Sequence, residues 1–132
     1  MTKVLIDTNI FIYDLDKNSK FHSEANKLLN SENELYTTSK NVSEFICVCT
    51  KLSIDYNIIE KYIEDIFSNL TILYPTPYSL EIFLELTKKN KPNGNRVYDI
   101  EIASIMIDNQ ILNIATFNMK DFEMIENFKT YN

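Results

Sequence analysis

The 132-residue chain has one histidine, one arginine, one glycine, three prolines, two cysteines and no tryptophan. With His22 alone, in the first turn of an expected helix, a Ser-His-Asp or Cys-His catalytic arrangement has little to work with. His22 is expected to be solvated. Cys47 and Cys49 lie two residues apart in a helical pattern, so their side chains point about 200° apart and are not expected to pair. They also lack the CxxC spacing and histidine neighbours of a zinc site, and a reduced, cytoplasmic setting suits them. No apolar run approaches the roughly 18 residues of a membrane span. The opening run is cut by Asp7, which leaves no signal-peptide core. The formal charge is -6, which argues against a passive, charge-driven nucleic-acid coat. It argues less against a metal-dependent nuclease, where bound cations neutralise an acidic pocket and meet the phosphate.

Hydrophobic residues make up 45% of the chain and aromatics 12%, enough for a real core. Repeats, low-complexity segments and internal linkers are missing, so residues 1–132 are expected to form a single domain.

Val4-Leu5-Ile6 reads as a short buried strand stopped by Asp7-Thr8-Asn9, with Thr8 and Asn9 able to start the helix through Ile10, Phe11 and Ile12. A second helix is expected over 21–30 and a second strand over Glu34–Thr38. The apolar spacing of Val42, Phe45, Ile46, Cys49 and Leu52 marks a third helix. Asp55 can cap a fourth, with an inward stripe from Ile58 and Ile59 through Tyr62, Ile63 and Ile66 to Phe67. After a short strand over Leu70–Leu73, Thr76-Pro77 gives a cap and a proline at the first helical position. That helix is expected to carry Leu80, Phe83, Leu84 and Leu86 inward. The loop over 90–95 holds the only glycine. Tyr98 to Asn109 is the most apolar helix and is expected to be central. A fourth strand over Leu112–Thr116, a helical turn from Met119 to Met124 and a closing strand from Phe128 to Tyr131 complete the chain. Strands alternating with helices imply an α/β fold with a mainly parallel sheet.

Such a sheet gathers the carboxyl ends of strands and the amino ends of the following helices at one edge. Asp7, Glu44, Asp99 and Asp121 all occur just after a strand or in the first turns of a helix. Each has an ordinary explanation as a helix-start acid, for up to about 1 kcal/mol. Brought together, however, four carboxylates would repel and raise one another's pKa. Hard cations such as Mg2+ or Mn2+ relieve that repulsion through oxygen ligands.

Four stretches carry a family resemblance: Val-Leu-Ile-Asp-Thr-Asn at 4–9, Thr-Ser-Lys-Asn-Val-Ser-Glu-Phe at 38–45, Val-Tyr-Asp-Ile-Glu-Ile-Ala at 97–103, and Ile-Ala-Thr-Phe-Asn-Met-Lys-Asp-Phe at 114–122. In their order and separation the chain resembles the PIN-domain ribonucleases, and most of all the VapC-type toxins of prokaryotic toxin–antitoxin pairs. The resemblance implies a Rossmann-like, three-layer sandwich around a central sheet of four to five strands. It also implies an acidic metal site that hydrolyses RNA phosphodiesters. Asp7 matches the family's first acid, Glu44 its second and Asp99 its third. Thr8 and Thr116 match hydroxyl positions near the metal, and Asn9 a residue that steadies the first acid. At the fourth position, where many members carry Asp, stands Asn118, with Asp121 three residues on. Asn118 can offer a carbonyl oxygen but no charge. One Mg2+ or Mn2+ is therefore expected on Asp7 and Asp99, directly or through water, with Glu44 nearby and Asn118 or Asp121 completing the site.

Lys17, Lys20, Lys40, Lys91, Arg96 and Lys120 are candidates for meeting substrate phosphates. The resemblance further implies a small antitoxin protein across the acidic groove, and homodimers. Phe11, Ile12 and Leu52 are candidates for these contacts, with core burial as the alternative. Two other readings of the same residues stand beside the toxin: a housekeeping RNA-processing nuclease and a PIN-like binding module without catalysis. A small gene immediately upstream would separate the first two. Loss of Asp7 or Asp99, both present here, would mark the third.

Overall fold

A computed structural model describes residues 2–123, 125 and 128–130. Five strands form one sheet: β1 (Lys3–Ile6), β2 (Glu34–Thr38), β3 (Thr71–Leu73), β4 (Asn113–Ala115) and the two-residue β5 (Lys129–Thr130). Their order is β3-β2-β1-β4-β5, and every pairing is parallel. The expected closing strand is present as β5, while Tyr131 lies outside the described residues. The expected turn after Asn118 is a 3-10 helix over Met119–Phe122, with Met124 again outside the description.

Six α-helices fill the crossovers: α1 (Thr8–Leu15), α2 (His22–Leu29), α3 (Ser39–Lys51), α4 (Tyr56–Tyr62), α5 (Pro77–Asn90) and α6 (Arg96–Asp108). A π-helical turn over Ile63–Phe67 prolongs α4. The period-2 alternation of strand side chains divides them between two cores. Val4 and Ile6 of β1, with Leu35 of β2 and Ala115 of β4, pack against the apolar faces of α1 to α4. Leu5 and its partner Ile114 point the other way, onto Ile102 and Met106 of α6. The outer helix α5 then covers α6 with Phe83 and Leu86, against Ile100, Ala103 and Ile107. The result is a three-layer α/β sandwich. Among the described residues, no helix is long and apolar enough to cross a membrane.

As expected, α6 is central, with Ile100, Ile102, Ala103, Ile105 and Met106 all buried. The expected inward face of α5 is corrected: Leu80 is 54% exposed and Leu84 57%. An outermost helix buries only one narrow stripe, and here Ser79, Phe83 and Leu86 supply it. Ile58 and Leu52, at the free ends of their stripes, are exposed as well. Gly94 stands where the loop before α6 needs a left-handed residue, at φ +59°.

A buried polar clamp joins three helices on the α1–α4 side. The Tyr62 hydroxyl donates to Asp14 Oδ2 at 2.8 Å, and Asn26 Nδ2 donates to Asp14 Oδ1 at 3.1 Å. Burial, reinforced by the Asp14 charge, pushes the Tyr62 phenol up. Tyr62→Phe would leave one oxygen of a buried carboxylate without its donor, so it is expected to cost about 1–3 kcal/mol. Urea unfolding of the variant beside the unmodified protein checks this. His22, expected to be solvated, is half-buried, with its Nδ1 3.2 Å from the Tyr13 carbonyl oxygen.

Candidate active site

The site begins with Asp7, at the point where β1 ends. Its backbone N–H donates to the Ala115 carbonyl at 3.0 Å, which ties it to the neighbouring β4. Asp7, rather than Thr8 or Asn9, is the N-cap of α1, and its Oδ1 accepts the Thr8 backbone N–H at 2.9 Å. The helix-start explanation for this acid is therefore real, but it leaves Oδ2 free for other work. That oxygen accepts the Thr116 hydroxyl at 2.8 Å. Asn9 fixes Thr116 in turn, donating from Nδ2 to its Oγ1 at 3.1 Å and accepting the Phe117 N–H at 3.3 Å. Thr116 thus holds Asp7 from the β4 side, and Asn9 acts on it through Thr116.

A further residue does the same from the β2 side. Asn41 is fully buried. Its Nδ2 lies 3.2 Å from Asp7 Oδ1 and 3.0 Å from Thr8 Oγ1, and donates to both. Its Oδ1 accepts from the Thr38 N–H and hydroxyl, and its own N–H returns to Thr38 Oγ1, closing the capping box of α3. Sequence reasoning missed Asn41, although the Thr38-x-x-Asn41 spacing signals the cap. Replacing Asn41 with Leu would remove the amide donor from Asp7 and Thr8 together. The expected cost is about 1–3 kcal/mol of stability, read from the shift in the urea midpoint.

Around Asp7 lies a pocket of about 290 Å3 lined by Glu44, Asp99, Asn118 and Asp121, together with Thr8 and Asn9. Ile12, Tyr13 and Val48 supply its apolar wall. All four sequence-predicted acids therefore meet at the carboxyl edge of the sheet, and Asn118 joins them. Glu44 projects from the second turn of α3 and is exposed, whereas Asp99 in the first turn of α6 is half-buried.

The electrostatics reflect this crowding. Burial pushes the Asp7 carboxyl up to about 6, against the lowering effect of its bonds from Thr116 and the Thr8 N–H, with Glu44 and Asp121 raising it further. Burial and then the charges of Asp121, Asp7 and Glu44 push Asp99 up to about 7, with only Arg96 opposing them. Thr116→Val would remove a bond that favours the Asp7 anion, so the Asp7 titration is expected to move above about 6. Carboxyl NMR in metal-free buffer measures this directly.

Oxygen donors of this kind, held together against their own repulsion, fit a hard divalent cation. Among the described residues, no three His, Cys, Asp or Glu side chains converge closely enough to hold an ion as they stand.

Fold and pocket together define a Rossmann-like α/β domain with an acidic, solvent-open site at the carboxyl edge of its strands. The family model described as the PIN domain matches residues 4–126, and the chain belongs to that family. No curated protein sequence matches the chain. Among solved structures, VapBC2 from Rickettsia felis, bound to a DNA fragment from its promoter, is similar at 24% identity and a TM-score of 0.72. That match covers 99% of this chain and 100% of the other. FitAcB from Neisseria gonorrhoeae is similar at 18% identity and a TM-score of 0.78, with 98% and 96% covered. VapC20 from Mycobacterium tuberculosis, a Sarcin-Ricin loop cleaving toxin, is similar at 12% identity and a TM-score of 0.72, with 90% and 92% covered.

Proposed function

We propose that this chain is a metal-dependent endoribonuclease, a single cytoplasmic domain that hydrolyses RNA phosphodiesters as the toxin of a toxin–antitoxin pair. The observation that carries the reading is the meeting of Asp7, Glu44, Asp99 and Asp121 in one pocket of a PIN domain. Asp7 and Asp99 would hold Mg2+ or Mn2+, with Glu44 close by and Asn118 or Asp121 contributing a further oxygen. The bound cation would supply a water acidic enough to attack at neutral pH and positive charge for the leaving oxygen. The chain's own part is orientation. Thr116 and Asn41 fix the two oxygens of Asp7, one each. Arg96 offsets negative charge at Asp99 and stands ready for a phosphate.

Partner contacts are proposed on two surfaces. Ile12, Leu52 and Ile58 line a largely apolar groove of about 520 Å3 that would take an apolar stretch of an antitoxin. Phe11 has no part in it, being wholly buried. Leu80 and Leu84, exposed on α5, offer apolar surface to a second copy. The toxin reading draws on the likeness to VapC20, a Sarcin-Ricin loop cleaving toxin, and to a toxin–antitoxin complex from Klebsiella pneumoniae.

The test is cleavage of a mixed set of single-stranded and structured RNAs with Mg2+, Mn2+ or EDTA, beside an identically purified Asp99→Asn variant. Cutting should require metal and vanish in the variant. Cutting that survives both EDTA and the substitution would refute the assignment.

A further inference from the structure

We infer that the groove between α3 and α6, next to the acidic pocket, seats an unpaired RNA segment flanking the scissile phosphate. In it Tyr98 stacks on a base, and Lys51 and Arg96 hold phosphates. This rests on the nuclease reading above and adds to it how the substrate is held.

The groove measures about 620 Å3 and shares Glu44, Asp99 and Asp121 with the acidic pocket, so the two form one continuous depression. Its remaining wall differs sharply from the pocket. Lys40 and Lys51 come from α3 and Arg96 from α6, three cations beside the acids in a chain of formal charge -6. Lys40 is held by Glu101 at 3.5 Å, whereas Lys51 and Arg96 form no ion pair among the described residues. Arg96 is the only arginine in the sequence, and it lies close enough to Asp99 to favour its anion. A guanidinium so placed can bind a phosphate oxygen bidentately without leaving the acidic centre.

Tyr98 supplies the second recognition element. It directly precedes Asp99, lines the groove and is 60% exposed, although it belongs to the most buried helix of the fold. A phenol ring standing in water between cations gains most from a flat apolar partner. A nucleobase is such a partner, and stacking tolerates any sequence because every base has a π-face. The base must be free of its own helix to reach the ring, so the groove selects unpaired RNA over duplex. A phosphate chain then runs from Arg96 and Lys51 toward the acids, bringing the next phosphodiester to Asp7 and Asp99.

The experiment measures binding of a short fluorescein-labelled, unpaired oligoribonucleotide, and of its duplex, by fluorescence anisotropy. The Asp99→Asn background keeps the RNA whole, and cleavage by the unmodified protein is assayed alongside. Tyr98→Ala should weaken binding of the unpaired strand about five- to a hundred-fold, and Tyr98→Phe should restore it. Tyr78→Ala, a tyrosine 61% exposed outside the groove, should change nothing and controls for general loss of aromatic surface. Lys51→Gln should flatten the dependence of log affinity on log salt by about 0.7, one phosphate contact on a single strand. If the unmodified protein cuts RNA while Tyr98→Ala and Lys51→Gln bind it like the control, the groove assignment is overturned and the nuclease reading stands. If RNA is neither bound nor cut, both fall together.

Discussion

Asp99→Asn is expected to do two opposite things at once: abolish RNA cleavage and stabilise the metal-free protein at alkaline pH. Loss of a carboxylate proposed to hold the cation should lower the cleavage rate at least about a thousand-fold, since a bound metal supplies several kcal/mol of charge stabilisation. The gain in stability follows from the crowding. Burial and three neighbouring acids hold the Asp99 carboxyl near pH 7, well above its ordinary value of 3.8. A carboxyl whose folded pKa is raised binds more protons folded than unfolded, so stability falls as pH rises between those two values. Well below pH 3.8 the group is neutral in both states and costs nothing, and near pH 4 the cost is still small. Above about pH 7 the full cost is present, and an amide of the same shape escapes it. Melting temperatures of the two metal-free proteins should therefore agree near pH 4 and diverge by pH 8, the variant melting higher. A variant that melts lower at pH 8 would show that Asp99 is not destabilised by its neighbours. Acids that weaken the empty fold are the pattern expected where function, not stability, set the residue.

Phe45→Ala is expected to be the most damaging single core substitution, costing about 3–5 kcal/mol. Phe45 is fully buried and meets three other rings, with centroids 5.1 Å from Tyr62, 5.7 Å from Phe67 and 6.2 Å from Phe11. Those rings come from α4, from the π-helical turn and from α1, so one side chain closes the whole α1–α4 layer. The loss is a large share of the roughly 5–15 kcal/mol that holds a domain folded. The urea midpoint should fall steeply with its slope unchanged. The residue also follows Glu44, so loosening α3 should weaken the acidic pocket as well as the core. A drop below about 1 kcal/mol would mean that the aromatic cluster is not what holds α3 to α1 and α4.

Much of this was legible in the sequence because parallel α/β topology is so constrained. Once strands and helices alternate, the ends of β1 and β4 and the starts of α3 and α6 must share one edge. Asp7, Glu44, Asp99 and Asp121 could therefore be brought together from their positions alone. Asn41 was not legible in that way. Its cap spacing is visible, but its bonds to Asp7 and Thr8 exist only because β2 lies beside β1, which sets the start of α3 against the start of α1. Leu80 and Leu84 misled for a related reason. Apolar spacing shows that α5 has a buried face, while the width of that face depends on its being the outermost layer. Asp14, in the last turn of α1, carries no local sign of burial. Its partner Tyr62 lies 48 residues on, and only the packing of α4 over α1 makes the two a buried pair.

The most direct measurement is a Mn2+ titration of the isotope-labelled protein near pH 7.5, read as paramagnetic broadening of backbone amide signals. Amides around Asp7, Glu44, Asp99 and Asn118 should broaden first and together, at substoichiometric metal. The effect should be lost in Asp7→Asn and Asp99→Asn. Broadening that starts elsewhere, or that persists unchanged in both variants, would contradict a cation site at this edge of the sheet.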